Sequence, residues 1–226
     1  MKKIVELKDV SFDFTSSRGI AKKILSNTNL VINKNEVHLI TGPSGSGKTT
    51  FLQIIAALRT PSSGTVEIFN QKIVNDTPLA ETSHFRSKIG YLFQTPYIPS
   101  NLTVEEFLVI QSSLVGSTLD AALNSTKEVL ERFELQSFTL KKPKELSGGE
   151  KQRIALASLL IRNIDLLLLD EPTGSLDIDN KKIVWDMIKE LRDEKETAIV
   201  VVSHDKSISK IADYSYILNY GDLQLV

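Results

Sequence analysis

The chain has 226 residues, with 27 Lys and Arg, 28 Asp and Glu, and a formal net charge of −1. This length allows one large domain or two small ones with a sizeable hydrophobic core. The balanced charge argues against a protein whose main activity is to bind nucleic acid, and the absence of cysteine excludes disulfides and thiolate metal sites.

The sequence predicts neither a membrane span nor a targeting signal. Apolar runs such as residues 166–169 fall far short of the ~20 residues that a membrane-spanning helix needs. The first ten residues, MKKIVELKDV, lack the apolar core of a signal peptide. We therefore expect a cytoplasmic protein.

The N-terminal part is predicted to form strands. Residues 4–14 alternate apolar and polar side chains, but the alternation changes parity at Lys8 and Asp9, which predicts a β-bulge or two short strands. A polar turn, SSRG at residues 16–19, follows. Residues 37–40 then form a short apolar run that is typical of a buried strand.

The stretch GPSGSGKTT, directly after that strand, matches the pattern G-x-x-x-x-G-K-[ST] of a loop whose N–H groups cradle phosphate. Glycine lets the chain approach a ligand closely, Lys48 adds a positive charge, and Thr49 offers a hydroxyl to Mg²⁺. The helix predicted at residues 50–58 offers its N-terminus to anions. An ordinary Gly/Ser turn is the alternative, which the strand–loop–helix context disfavours. The predicted nucleotide-binding residues here are Gly42, Pro43, Ser44, Gly45, Ser46, Gly47, Lys48, Thr49 and Thr50.

The middle of the chain changes from strands to helices. Strands are predicted at residues 65–69 and 86–94, the second ending at Gln94. Thr103 and Glu106 then have the spacing of a capping box at a helix start. A second amphipathic stretch places Leu119, Leu123, Leu130 and Phe133 on one face, which we expect to be core. We interpret residues of about 95–160 as a helical subdomain inserted into an α/β domain.

Helices and strands alternate after Gly149. The predicted order is helix 150–162, strand 165–171, helix 181–194, strand 198–204, helix 205–212 and a last strand near 214–218. Apolar strands between helices imply a parallel sheet that is covered on both faces.

The strand at residues 166–170 ends in two adjacent acids, Asp170 and Glu171. An open parallel sheet places its site at the carboxyl ends of its strands. In an enzyme with a phosphate loop, Asp170 would hold Mg²⁺, and Glu171 would orient or deprotonate the attacking water. A solvated strand end is the alternative, and the presence of the phosphate loop favours the functional interpretation.

A second anion site is predicted at LSGGE, residues 146–150. Ser147 and Glu150 have the spacing of a capping box that opens a helix. A serine followed by two glycines at a helix start also offers free N–H groups to an anion. Both functions can coexist.

Five motifs, taken in order, resemble the ATP-binding subunit of ATP-binding cassette (ABC) transporters over nearly the whole chain. They are GPSGSGKTT, the Gln94 of YLFQ, LSGGEKQR, LLLLDEPTGSLD and VVVSHD. EPTGSLD and residues 84–94 look most like the branch with lipoprotein-releasing, macrolide-exporting and cell-division cassettes. The resemblance implies an α/β fold: a P-loop NTPase core with a mostly parallel sheet, an N-terminal antiparallel β-subdomain and the inserted helical subdomain. One domain would span residues 1–226, around a RecA-like core.

The resemblance also implies a head-to-tail dimer, in which the LSGGE motif of one cassette closes over the triphosphate that the other cassette holds. Ser147, Gly148, Gly149 and Glu150 would then bind ATP in trans. Asp177 would bridge to the other subunit.

Further roles follow from the same resemblance. Phe14 falls where the family usually has a tyrosine that stacks on adenine; Phe12 is a rival, and either ring could be core. Gln94 would reach Mg²⁺ or the attacking water, and His204 would sense the γ-phosphate. The implied catalytic residues are Lys48, Gln94, Glu171 and His204, and the implied Mg²⁺ ligands are Thr49, Gln94 and Asp170.

The expected ligands are ATP and Mg²⁺. The expected partners are a second copy, or another cassette, and an integral membrane permease that holds the subunit on the inner face of the cell membrane; nucleic acid is not expected. The branch likeness favours export or extraction of a cargo. The alternative is a soluble ABC ATPase that acts on ribosomes or DNA. Such relatives usually carry two cassettes or a long coiled-coil insertion, and this sequence has neither.

Overall fold

The computed structural model describes residues 2–15, 21–114, 116–174 and 176–226. Its strands are β1 (Lys3–Thr15), β2 (Ala21–Asn33), β3 (Val37–Thr41), β4 (Ser63–Ile68), β5 (Gln71–Ile73), β6 (Ile89–Leu92), β7 (Leu166–Asp170), β8 (Ala198–Val202), β9 (Tyr214–Asn219) and β10 (Asp222–Leu225). Its α-helices are α1 (Lys48–Ile55), α2 (Ser83–Arg86), α3 (Val104–Ser113), α4 (Leu119–Arg132), α5 (Gly148–Leu160) and α6 (Ile178–Lys195). The predicted turn at residues 16–19 lies outside the described residues.

The strands form two sheets. One is antiparallel, with the order β2-β1-β4-β5, and the other has the order β10-β9-β3-β8-β7-β6. In the second sheet only β10 runs antiparallel to its neighbour, and the other strands are parallel. The predicted α/β fold, with a mostly parallel sheet and an N-terminal antiparallel sheet, is confirmed. Strands β5 and β10 were not predicted because they are short and largely exposed.

The parity change in β1 is a β-bulge, as predicted. The pairing of β1 with β2 shifts register between Leu7 and Val10. Asp9 has a left-handed φ of 49°. Its N–H donates a hydrogen bond to Asn29 Oδ1 at 3.0 Å, so the side chain of β2 takes the place of a ladder partner.

Both faces of the second sheet are buried at its central strands β7 and β8. Leu167 of β7 packs with apolar side chains of α3, α5 and α6, whereas its neighbour Leu168 packs with those of α1 and the antiparallel sheet. Successive side chains of a strand point to opposite faces, so a strand covered on both sides has a continuous apolar sequence. This is why LLLL of β7 and AIVVV of β8 show no alternation.

Helix α3 begins at the predicted capping box. Thr103 Oγ1 accepts from the Glu106 N–H, and Glu106 Oε2 accepts from the Thr103 N–H at 2.7 Å. In α4, Leu130 is buried, but Leu119 and Leu123 are 64% and 43% exposed. The prediction that these two leucines belong to the core was therefore wrong.

The physical reason lies in the neighbours of α4. Its buried face is formed by Ala122, Thr126 and Leu130. Periodicity identifies an apolar stripe on a helix, but it does not show which turns of the stripe have a neighbouring element to pack against.

The helix predicted at residues 205–212 was also wrong, because the structure has only a 3₁₀ turn, Lys206–Lys210. Asp205 Oδ1 accepts hydrogen bonds from Ser207 N and Ser207 Oγ, at 2.9 and 2.7 Å. Such local side-chain bonds offer the backbone an alternative to a helix. Across the described ranges, no helix combines the length and apolar character needed to cross a membrane.

Candidate functional site

The phosphate loop joins β3 to α1, and two of its glycines are required by sterics. Gly42 and Gly47 have φ values of 146° and 103°. A Cβ atom added at Gly42 would lie 2.2 Å from the carbonyl oxygen of Leu218, and one added at Gly47 would lie 2.4 Å from Ile24 Cγ2. The loop therefore packs closely against β9 and β2, which leave no room for a side chain at either glycine.

Lys48 folds back across this loop. Its Nζ donates to the carbonyl oxygens of Gly42 and Pro43, both at 2.9 Å. Burial lowers the pKa of Lys48, and the charges of Glu171 and Asp170 oppose that shift. The ammonium group is thus already placed on the concave side of the loop, where a phosphate oxygen could replace a carbonyl as its partner.

Ser46 supports the assignment of a phosphate site. Its side chain is buried, and its Oγ has no hydrogen-bond partner among the described residues. Buried polar atoms almost always have a partner, so an exception needs an explanation. A hydroxyl donor within a phosphate-loop motif fits a triphosphate oxygen.

Thr49 and Asp170, two of the predicted Mg²⁺ ligands, are in direct contact. Thr49 Oγ1 donates to Asp170 Oδ2 at 2.8 Å. Burial raises the pKa of Asp170, while the hydrogen bond from Thr49 and the charge of Lys48 lower it. Within the described ranges, no group of three or more His, Asp or Glu side chains could hold a metal alone. The hydroxyl of Thr49 and the carboxylate of Asp170 are oxygen ligands that fit Mg²⁺, which proteins commonly hold with one or two carboxylates and the phosphates of the substrate.

Glu171 and His204 are likewise brought together, at the ends of β7 and β8. Glu171 Oε2 accepts from the His204 N–H at 3.3 Å, and His204 Nε2 lies 3.4 Å from Glu171 Oε1. Glu171 has a φ of 48°, which is uncommon for a residue other than glycine. The N–H of Glu171 donates to the Val202 carbonyl at 2.8 Å, so β8 holds the residue in this conformation. Strained backbone of this kind clusters at functional sites.

Lys48, Thr49, Asp170, Glu171 and His204 line one cavity of about 920 Å³, whereas Gly42 and Ser46 are not among its lining residues. Gln94, which is exposed just beyond the end of β6, also lines the cavity, and its contact with Mg²⁺ or the attacking water stays a prediction. The lining residues that the sequence did not indicate are Ile24, Thr95, Pro96, Lys151, Gln152 and Gly174. Lys151 and Gln152 directly follow LSGGE, so their position next to this motif could have indicated that they line the site. Nothing in the sequence around Ile24 indicates such a position.

Helix α5 begins at the second predicted anion site. Ser147 Oγ accepts from the Glu150 N–H at 3.2 Å, and Glu150 Oε2 accepts from the Ser147 N–H at 2.6 Å, which confirms the capping box. These bonds lower the pKa of Glu150, chiefly through the Ser147 N–H. In the part of the chain that the structure describes, a Cβ atom added at Gly148 would meet nothing within 4 Å. This chain's own packing therefore does not require a glycine at that position.

Asp177 lies outside the cavity, at the start of α6. It is exposed, and its Oδ1 accepts from the Asn180 N–H at 2.9 Å, so in this chain it caps the helix. That bond lowers the pKa of Asp177. The bridge from Asp177 to another subunit stays a prediction.

The two phenylalanines at the end of β1 differ in their surroundings. Phe14 is 50% exposed and pairs with Lys22, whose Nζ reaches toward the Gly45 carbonyl at 3.5 Å. Phe12 is partly buried against the core, with the guanidinium of Arg59 5.8 Å from its ring centroid. Neither ring is among the residues that line the cavity, so the adenine contact of Phe14 stays a prediction, although Phe14 has the more available ring.

Comparison with known proteins gives matches over most of the chain. The family model described as ABC transporter matches residues 25–174. The lipoprotein-releasing system ATP-binding protein LolD of Bacteroides thetaiotaomicron is 40% identical over 192 residues, which cover 84% of this chain and 88% of that protein. The LolD protein of Ehrlichia ruminantium, strain Gardel, is 34% identical over 225 residues, covering 99% and 98%.

Among solved structures, the ATP-binding cassette MJ0796 in a dimeric post-hydrolysis state, bound to ADP and Pi, superposes with a TM-score of 0.89. It is 33% identical in sequence, and the match covers 98% of this chain and 97% of that one.

Proposed function

This chain belongs to the ABC transporter family and is an ATP-binding subunit that hydrolyses ATP, and we propose that it works as a head-to-tail dimer that drives a separate integral membrane permease. The observation that supports the proposed dimer is the exposed start of α5. Gly148 lines the cavity, and no atom of the described residues lies within 4 Å of a Cβ added there, so contacts among those residues give no reason for a glycine. A nucleotide held by a second copy would supply that reason, because it would approach the N–H groups of this helix start closely.

Within one subunit, the phosphate loop and Lys48 hold the phosphates of ATP. Thr49, Asp170 and Gln94 hold Mg²⁺, which when bound neutralises charge on the phosphates. Glu171 accepts a proton from the attacking water, and His204, which contacts Glu171, faces the γ-phosphate. In this mechanism the protein mainly positions the reactants and stabilises developing charge.

The remaining assigned residues act in binding. Ser147, Gly148, Gly149 and Glu150 meet the ATP of the other subunit, Asp177 bridges the two subunits, and the ring of Phe14 stacks on adenine. Head-to-tail packing explains why one chain carries two anion sites, since each nucleotide lies between the loop of one copy and the α5 start of the other.

The whole chain, residues 1–226, acts as one cassette, with residues of about 95–160 as its helical subdomain. The permease docks between this subdomain and the core near residues 94–109. The side chains of Phe93 and Tyr97, at the edge of this region, are 50% and 81% exposed. The subunit is thereby held at the inner, cytoplasmic face of the cell membrane.

The direction of transport is export or extraction. The relatives from Bacteroides and Ehrlichia are named as parts of a lipoprotein-releasing system, and this likeness supports removal of a cargo from the membrane rather than import. The relatives give no support to the alternative of an ATPase that acts on ribosomes or DNA.

The test is affinity purification of the tagged Glu171→Gln variant with ATP from a detergent extract of native membranes. The expected result is co-purification of an integral membrane protein. The untagged chain, carried through the same steps, controls for proteins that bind the resin. Recovery of ribosomal or DNA-repair proteins without a membrane protein would contradict the transporter assignment.

A further inference from the structure

Gln152 is a buried polar residue that none of the roles above uses. Its side chain is 3% exposed, and its Nε2 is buried without a hydrogen-bond partner among the described residues. An unpaired buried amide is unfavourable, and each such group in a native protein calls for an explanation. Gln152 also lines the cavity that holds the phosphate loop.

The packing of α5 shows what Gln152 faces. Leu159 Cδ1 lies 3.6 Å from the Cβ position of Gly90 on β6, and Arg162, just after α5, donates to the Ser87 carbonyl, just before β6, at 2.9 Å. Residue numbers thus rise along α5 as they fall along β6. Positions 152, 156 and 159 lie on one face of the helix, since residues four and seven apart do so. One turn before Leu156, Gln152 therefore faces the segment after β6, Gln94–Pro96, which lines the same cavity.

The start of α5 has a different role from that of Gln152. Ser147 and Gly148 stand at the N-terminus of α5, about 6 to 8 Å along the axis from Gln152 at the ~1.5 Å rise per residue of an α-helix. In the proposed dimer, these residues meet the nucleotide of the other subunit. Gly148 and Gln152 both line the cavity of this chain, so Gln152 links the phosphate-loop side of that cavity to the helix start that serves the other subunit.

We infer that Gln152 is a positioning residue that couples the two nucleotide sites of the dimer. When the cavity of its own subunit is loaded, its amide donates a hydrogen bond to the Gln94–Pro96 segment, which fixes the start of α5 for the nucleotide of the other subunit. This inference rests on the proposed head-to-tail dimer. The buried Nε2 of Gln152, which has no partner among the described residues, gains its hydrogen bond only in the loaded state.

The test compares Gln152→Met with Ser158→Ala in the full chain. Met keeps the length of the side chain and removes the donor. Ser158 is also buried on α5, but its Oγ donates to the Ala155 carbonyl within the helix, and it does not line the cavity. We expect Gln152→Met to lower kcat by about tenfold or more, because small misplacements of reacting groups have effects of this size. Because the hydrogen bond forms only in the loaded state, its loss should also weaken ATP binding, by up to the about tenfold that one hydrogen bond contributes. We expect Ser158→Ala to leave both kcat and ATP affinity unchanged.

The second measurement is ATP-dependent dimerisation on sizing, made in the Glu171→Gln background. Gln152→Met should raise the protein concentration needed for the dimer, while Ser158→Ala should not. The thermal midpoint of Gln152→Met should not fall, because the substitution removes an unpaired polar group. If the Met variant does not fold, Gln152→Ala provides the same comparison with a smaller side chain.

The results distinguish a failure of the coupling role of Gln152 from a failure of the proposed dimer. If Glu171→Gln dimerises with ATP and Gln152→Met neither slows turnover nor weakens the dimer, the coupling role is overturned alone. A loss of ATP affinity well beyond about tenfold, with ATP-dependent dimerisation unchanged, would overturn it in favour of direct contact with the nucleotide. If Glu171→Gln itself stays monomeric with ATP, the proposed dimer fails, and the inference falls with it.

Discussion

The hydroxyl of Thr49 donates to the carboxylate of Asp170 at 2.8 Å and thereby joins the first turn of α1 to the end of β7. The two residues are 121 positions apart in the chain. Their contact places a hydroxyl and a carboxylate oxygen side by side below the phosphate loop, which is the arrangement that a magnesium ion bound to a triphosphate needs.

Replacing Thr49 by Val tests this arrangement, since Val keeps the shape of the side chain and removes the hydroxyl. We expect the Mg²⁺ concentration for half-maximal ATP turnover to rise by about 10- to 100-fold or more. A change of this size follows when a metal site loses one of the groups that support its ligands. ATP binding in the absence of Mg²⁺, measured by equilibrium titration, should change little. Thr49→Ser, which retains the hydroxyl, is the matched control. An unchanged Mg²⁺ dependence in Thr49→Val would remove Thr49 from the metal site.

Replacing Glu171 by Gln tests the general base. Gln keeps the size of the side chain but cannot accept a proton from water, so turnover should fall by roughly 10²- to 10⁴-fold while ATP binding is retained. Steady-state hydrolysis and nucleotide binding measure the two effects separately. Glu196→Gln, which removes an exposed carboxylate paired with Lys34, should hydrolyse ATP normally. Full turnover in the Glu171 variant would exclude this residue as the base.

Replacing Ser147 by Arg tests the contact in trans. The long side chain would occupy the space above the start of α5, so ATP-dependent dimerisation should be lost while one subunit still binds ATP. Sizing chromatography with ATP, in the Glu171→Gln background, measures the dimer. Ser147→Thr, which keeps a capping hydroxyl, should dimerise like the parent. Normal dimerisation of the Arg variant would count decisively against the trans site.

Stability should depend on pH through His38, which lies on β3 beside Glu36. The His38 Nε2 is 3.0 Å from Glu36 Oε2, and the ring stacks on Tyr214. Burial lowers the pKa of His38 below its ordinary value of 6.5, although the charge of Glu36 opposes the shift. The unfolded chain therefore binds a proton at this residue at a higher pH than the folded chain does. The free energy of unfolding should fall as the pH drops below about 6.5.

Urea unfolding at pH 7.5 and 5.5 measures this effect. His38→Gln should show a smaller loss of stability between the two pH values than the parent. His84→Gln, at an exposed histidine, should show the same loss as the parent. The pKa of Glu36 is lowered as well, because bonds from Asn33 and His38 outweigh its burial, so it adds a further loss only at more acidic pH. Equal pH dependence in His38→Gln and the parent would contradict this role of His38.

Local features of the structure could be predicted because their interactions close within a few residues. The capping boxes at Thr103 and Ser147 each need only the residue three positions later. The bulge at Asp9 follows from a change of parity within one strand. The rings of Phe12 and Phe14, in contrast, could not be told apart from the sequence, because their exposure depends on Arg59 and on the core below them.

By itself, the sequence determined the family of this protein, the strand–loop–helix of the phosphate site and the order of its motifs, since each depends on residue types at fixed, short spacing. Only the tertiary structure decided that Leu119 and Leu123 are exposed and that Gly42 must be a glycine because Leu218 lies against it. It also decided that Gln152 is buried beside the cavity, with no partner for its Nε2 among the described residues. Burial and steric contact depend on neighbours that are distant in the chain, and a pattern of nearby residues carries no record of them.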